Sequence, residues 1–175
     1  MRKGFKYFGL LLILGALGFI TYQVVNKREK IEQASQILKE ISSFELKDLN
    51  QEPFLLSSLS NEYKIIIYVD TSCDFCIEQI NQIESIQNLL QNVAVVFVSQ
   101  EDTADLKEFY TSNQIFINEN IFLAHDNTSI FTERLGISGT PHVLIYNTDW
   151  EIIHNHRGFL KAEKLLELVQ SSPNE

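Results

Sequence analysis

Seven consecutive residues, 63–69, constrain the fold more than any other stretch: Tyr-Lys-Ile-Ile-Ile-Tyr-Val is β-branched or aromatic almost throughout. A run of that kind reads as a central strand buried on both faces, so structure must cover it above and below. Residues 93–98 repeat the pattern. Directly after the first run comes Asp70-Thr71-Ser72-Cys73-Asp74-Phe75-Cys76, which holds both cysteines of the 175-residue chain. Beyond it Ile77, Ile80, Ile83, Ile86, Leu89 and Leu90 recur at helical spacing and predict a long helix over 75–90. The cysteines therefore stand where a buried strand hands over to a helix.

The rest of the chain keeps that alternation going. Phe44, Leu46 and Leu49 alternate with polar residues, Asn50-Gln51-Glu52-Pro53 turns, and Phe54-Leu55-Leu56 resumes, which reads as an N-terminal hairpin. A helix is expected over 103–110 with Asp102 as its cap, a short strand over 121–124, and a helix over 129–135 that stops at Gly136. Residues 142–146 and 151–156 form two further strands around the turn Asn147-Thr148-Asp149-Trp150, and 161–169 closes as an amphipathic helix. The order β-hairpin, β, α, β, α, β, α, β, β, α implies an α/β fold, a central mixed sheet flanked by helices with an antiparallel hairpin at one edge.

Residues 1–25 are of another kind. Arg2, Lys3 and Lys6 precede residues 7–25, a run of 19 without a charge. At about 1.5 Å per residue this approaches the roughly 30 Å of a bilayer core, so a single transmembrane anchor is expected there behind a short cytoplasmic N-terminus at 1–6. The competing reading is a signal sequence cleaved near Ala16-Leu17-Gly18; Phe19, Ile20, Val24 and Val25 carry apolar character past that point and favour the anchor. Ile31, Ala34, Ile37, Leu38 and Ile41 predict an amphipathic linker helix within 26–43, which leaves 44–172 as the globular domain. The basic residues lean towards a cytoplasmic N-terminus, which puts the domain on the extracytoplasmic side, in a periplasm or at a cell surface. From residue 31 onward 8 Lys/Arg stand against 22 Asp/Glu, a formal −14. That balance disfavours nucleic acid and anionic lipid headgroups as partners of the domain.

Three uses of the cysteine pair compete. A static disulfide closing so short a loop would constrain the unfolded chain very little. A metal centre would need further ligands, and His125, His142, His154 and His156 are scattered rather than spaced as ligands, so no metal is expected. A dithiol that cycles with a disulfide needs an exposed first sulfur at a helix N-terminus, where unpaired N–H groups favour a thiolate, and a second sulfur one turn inside. The strand-to-helix placement supplies that arrangement. No cofactor beyond the Cys73–Cys76 couple is expected.

With Cys73-Asp74-Phe75-Cys76 after a buried strand, Gly136-Ile137-Ser138-Gly139-Thr140-Pro141 before the next strand, and a hairpin with Gly158 ahead of the last helix, residues 44–170 resemble the thioredoxin superfamily. They are most similar to its membrane-tethered TlpA/ResA-like branch. The resemblance implies a thioredoxin-like fold and a thiol–disulfide oxidoreductase acting on protein thiols and disulfides, with a membrane electron donor as a possible further partner. It implies Cys73 as nucleophile, Cys76 as resolving thiol, Pro141 as the cis-proline beside them, and Thr140 as the backbone that receives an extended substrate. Asp74 and Phe75 would line the same substrate site. A non-catalytic interaction module with a static Cys73–Cys76 disulfide is the alternative.

Departures from the family pattern bear on mechanism. Ser72 stands where relatives commonly have Trp, and Ile67 where thioredoxin has a buried acid. Gln79 and Asn81 hold the places of the branch's Glu and Pro, and Glu78 is one position early, rotated about 100° around the helix. No proton acceptor for Cys76 is therefore evident. Asp74 places a like charge beside any anion formed on Cys73, which points to a couple that gives electrons away. A peroxidase of related fold would need a proline and a hydroxyl placed ahead of its cysteine; Asp70 occupies the hydroxyl's place, and no proline lies between Pro53 and Cys73. His154 and His156 are expected on one face of an edge strand as surface residues, and His142 as a packing residue. Trp150 is either an exposed anchor or folded back over the sheet.

Overall fold

The computed structural model describes Leu38 and residues 40–115 and 118–170. The expected anchor at 7–25 and most of the linker helix within 26–43 lie outside the described residues. Among the described residues no helix is long and apolar enough to cross a membrane. The packed part begins before residue 44: Glu40–Ser43 forms a 3-10 turn that buries Ile41.

Seven strands form one sheet: β1 (Glu45–Lys47), β2 (Pro53–Leu55), β3 (Tyr63–Tyr68), β4 (Val93–Ser99), β5 (Ile121–His125), β6 (His142–Tyr146) and β7 (Ile152–Arg157), in spatial order β2-β1-β5-β4-β3-β6-β7. The centre is parallel, β3 against β4 and β4 against β5, while β6 runs antiparallel to β3 and β7 antiparallel to β6. Every residue of β3 and β4 is buried, Lys64 and Ser99 among them. The strand and helix order expected from sequence holds throughout.

Side chains alternate across β3 into two cores. Tyr63, Ile65 and Ile67 meet α1 (Asp74–Ile86), α2 (Thr103–Ser112) and α4 (Ala162–Gln170) on one face. Ile66 and Tyr68 meet Ile41, Leu46, Leu56 and the short helix α3 (Ile130–Glu133) on the other. Helix α1 forms because Cys76, Ile80 and Ile83 recur on one side and are all buried; each fully buried isoleucine contributes about 1.5–3 kcal/mol.

Two helices are shorter than their periodicity predicts. α1 ends at Ile86, and Gln87–Leu89 tightens into a 3-10 turn that leaves Leu89 exposed and delivers Leu90 to the core. The expected helix over 129–135 is only Ile130–Glu133. Its cap comes from outside: the buried Asp126 carboxylate accepts from Ile130 N at 3.0 Å and Phe131 N at 2.9 Å. Gly136, at φ +67, turns the chain out of it.

The one lysine inside the central run proves structural. Lys64 is 1% exposed, and its Nζ donates to the carbonyls of Asn147 at 3.3 Å and Thr148 at 3.2 Å. The same Nζ lies 5.2 Å from the ring of Trp150, which packs 5.6 Å from Tyr146. Trp150 is thus folded back over the sheet, and it pins the β6–β7 turn to the central strand.

Candidate active site

Topology decides which loops meet. The carboxyl end of β3 pairs Tyr68 with Val98 on the parallel β4 and with His142 at the start of the antiparallel β6. His142 in turn pairs with Arg157 at the end of β7. One rim of the sheet therefore gathers residues 70–76, 99–101, 138–141 and 157–158, four segments far apart in sequence. Ligands of open α/β sheets bind at such carboxyl ends.

Cys73 is the N-cap of α1, in extended conformation at φ −99. The turn that presents it is closed by Cys73 N donating to Asp70 O at 3.2 Å and by Ser72 N donating to an Asp70 carboxylate oxygen at 2.8 Å. Cys73 is half-buried and Cys76 buried, both as free thiols. The Cys73 thiol lies 3.6 Å from the carbonyl oxygen of Thr140, and the Thr140–Pro141 peptide is cis. Burial, reinforced by contact with the Cys73 sulfur, pushes the Cys76 thiol up to about 12. Cys76 is therefore protonated at neutral pH, and it must lose that proton before it can act as a nucleophile.

The other expected residues fall on both sides of this pair. Asp74 is exposed in the first turn of α1. Phe75 is 67% exposed, a large apolar ring standing in solvent between the two cysteines. Thr140 is half-buried and Pro141 buried. Glu78 points outward and accepts from Gln82 Nε2 at 3.1 Å. Gln79 is fully buried, but its amide is committed elsewhere: Nε2 donates to Leu160 O at 3.0 Å while Leu160 N donates to Oε1 at 2.7 Å. Ile67 is fully buried in the first core.

Sequence reasoning missed Glu101. Its carboxylate accepts from Thr71 N at 2.8 Å, from the Thr71 hydroxyl, and from Ser99 Oγ at 3.2 Å, so it holds the loop that precedes Cys73. Tyr110 lies deep behind the site, its hydroxyl pushed up by burial and then by the neighbouring Cys76 and Glu101. The available signal was positional: Glu101 follows a buried strand parallel to the one that leads into Cys73.

The histidines lie on β6 and β7. His154 and His156 stack at 5.9 Å, and His156 Nε2 meets Phe159 O at 3.2 Å. His142 Nε2 meets Asn155 Oδ1 at 2.7 Å, and burial holds the His142 ring below the usual imidazole range. Among the described residues no three His, Cys, Asp or Glu side chains converge as metal ligands.

Residues 37–158, more than half of the chain, match the AhpC/TSA family. The chain belongs to the AhpC/TSA family. This AhpC/TSA domain is of the thioredoxin superfamily, and the solved structures it resembles include ones named as a thioredoxin, as disulfide oxidoreductases and as a peroxidoxin. The exposed lipoprotein thioredoxin of Streptococcus pneumoniae is 17% identical at a TM-score of 0.62, over 74% of this chain and 98% of that one. StoA of Bacillus subtilis is 18% identical at 0.59, over 71% and 94%. A secreted disulfide oxidoreductase of Mycobacterium tuberculosis is 16% identical at 0.62, over 78% and 98%. No curated protein sequence matches the chain.

Proposed function

We propose that this AhpC/TSA domain is a membrane-tethered, extracytoplasmic thiol–disulfide oxidoreductase of the TlpA/ResA-like kind, which reduces protein disulfides through Cys73 and Cys76. The observation that carries the reading is the asymmetry of the pair. Cys73 is half-exposed at a helix N-terminus beside the Thr140 carbonyl, while Cys76 is fully buried one turn behind it. Only Cys73 can reach a sulfur outside the protein.

The Cys73 thiolate attacks one sulfur of a substrate disulfide, forming a mixed disulfide and releasing the other substrate sulfur as a thiolate. Cys76, once deprotonated, attacks Cys73 Sγ, and the second substrate thiolate departs as the Cys73–Cys76 disulfide closes. Two electrons pass from the dithiol to the substrate. Thr140 offers backbone to an extended substrate segment, and Phe75 offers an apolar surface beside the sulfur. A membrane electron donor would return the couple to the dithiol. The uncharged run at residues 7–25 supports the tether. Two similar structures, an exposed lipoprotein thioredoxin and a secreted disulfide oxidoreductase, support the extracytoplasmic placement.

The test is insulin reduction with dithiothreitol. Wild type accelerates turbidity, Cys73→Ser falls to the uncatalysed rate, and Cys76→Ser accumulates mixed disulfides with its clients. Equal rates for wild type and Cys73→Ser would favour the static interaction module. A reduction potential of about −120 mV, the strong-oxidant end of the scale, would reverse the direction of electron flow.

A further inference from the structure

Arg157 is the last residue of β7 and takes no part in the chemistry above. Its guanidinium lies against Gly139 in the loop that ends in Thr140 and Pro141. A Cβ built on Gly139 would meet Arg157 Nε at 2.9 Å and one terminal nitrogen at 3.0 Å, so position 139 admits the arginine because it lacks a side chain. The same guanidinium donates to Ser138 O at 3.3 Å, and Gly158 N donates to Pro141 O at 2.8 Å, which locks the end of β7 to this loop. Arg157 is nonetheless exposed. Among the described residues the salt bridges are Arg134–Glu40 and Lys164–Glu167, and Arg157 has none. A guanidinium has five N–H donors, and the bond to Ser138 engages one of them.

The position matters because the next residue is Thr140, whose carbonyl is 3.6 Å from Cys73 Sγ. An extended chain advances about 3.3–3.6 Å per residue, so a substrate strand lying along this loop passes the guanidinium within about three residues of its reacting cysteine. The other flank of the sulfur is acidic, with Asp74 and Glu78 exposed on α1. Charge around Cys73 is thus divided, carboxylates on the helix side and a fixed, unpaired guanidinium on the loop side.

We propose that Arg157 is a specificity residue, selecting substrates that carry a carboxylate within three residues of the cysteine they exchange with Cys73. The inference rests on the dithiol reading above. Arginine suits the task because its planar fork grips a carboxylate through two parallel hydrogen bonds.

The test uses the full chain in detergent, reduced beforehand, and two peptides in which a single cysteine is blocked as a disulfide with a chromophoric thiol. The peptides differ only in having Asp or Asn two residues to either side of that cysteine. Release of the chromophore gives the rate constant for each. Wild type reacts faster with the Asp peptide by about fivefold at low salt, the upper range for an exposed charge pair, and the preference fades at high salt. Arg157→Gln removes the preference by slowing the Asp peptide alone, Arg157→Glu inverts it, and Arg157→Lys retains part of it. Equal rates on both peptides for wild type overturn the proposal, as does an Arg157→Gln variant slowed equally on both, which would make the arginine a loop clamp only. A wild type that reacts with neither peptide, or a Cys73→Ser variant as fast as wild type, overturns the dithiol reading itself.

Discussion

At the scale of single residues the site is built on unequal neighbours. Cys73 and Cys76 share a helix turn, yet burial leaves one thiol at the surface and pushes the other up to about 12. That shift makes stability depend on pH in a definite direction. Folding holds the Cys76 proton more tightly than the unfolded chain, whose thiol titrates near the ordinary 9.0. Below that pH the contribution is fully present, and it is lost as pH rises towards the folded value. A Cys73→Ser chain keeps the burial that raises Cys76 but not the contact with the Cys73 sulfur, so it is expected to lose stability by pH 10.5, by less than about 2 kcal/mol, relative to a Cys73→Ser/Cys76→Ser chain titrated alongside it. Urea unfolding of the two variants at pH 7 and pH 10.5 checks this; parallel pH dependence would show that Cys76 titrates normally. Tyr68, Tyr146 and Lys64 are shifted by groups common to both variants and cancel.

At the scale of elements the clasp between α1 and α4 matters most. Gln79 exchanges two hydrogen bonds with the backbone of Leu160, and one turn later Gln82 Oε1 accepts from Ala162 N at 3.0 Å, at the first residue of α4. The helix that presents the cysteines is thereby fastened to the C-terminal helix by two side chains. Gln79→Leu leaves a buried donor and acceptor unpaired and is expected to cost about 3 kcal/mol. Gln82→Ala removes only a cap at the half-buried end, about 1 kcal/mol. Equilibrium urea denaturation measures both, and a Gln79→Leu loss no larger than that of Gln82→Ala would refute the clasp. None of this could be read from sequence, because a glutamine in a helix carries no mark of a partner 81 residues away. What was legible was local: β3 and β4 from their mostly apolar, β-branched runs, α1 from the spacing of its isoleucines, the cysteine turn from its place between them. The illegible parts are side chains whose role depends on a distant segment. Glu101 braces Thr71, Asp126 caps α3, and Lys64 reaches across to the carbonyls of Asn147 and Thr148.

At the scale of the whole molecule the sheet order assembles the site, since strands β3, β4, β6 and β7 each bring one segment to the same rim. The described core draws on residues from Leu38 onward. A chain lacking residues 1–36 is accordingly expected to be recovered in the aqueous fraction and to reduce a soluble substrate at the rate of the full chain, while the full chain stays with membranes after alkaline extraction. Recovery of both in the aqueous fraction would contradict the tether. Among the described residues β2 and β7 are the edge strands of the same sheet, and each discourages a neighbouring copy from adding a strand. β2 offers only three residues and begins with Pro53, which has no N–H to donate. β7 is longer, but it carries exposed Asn155 and Arg157 and pairs with β6 through an irregularity at Ile145/Tyr146. Short, kinked and charged borders of this kind give a second copy little to align against, which disfavours edge-to-edge aggregation.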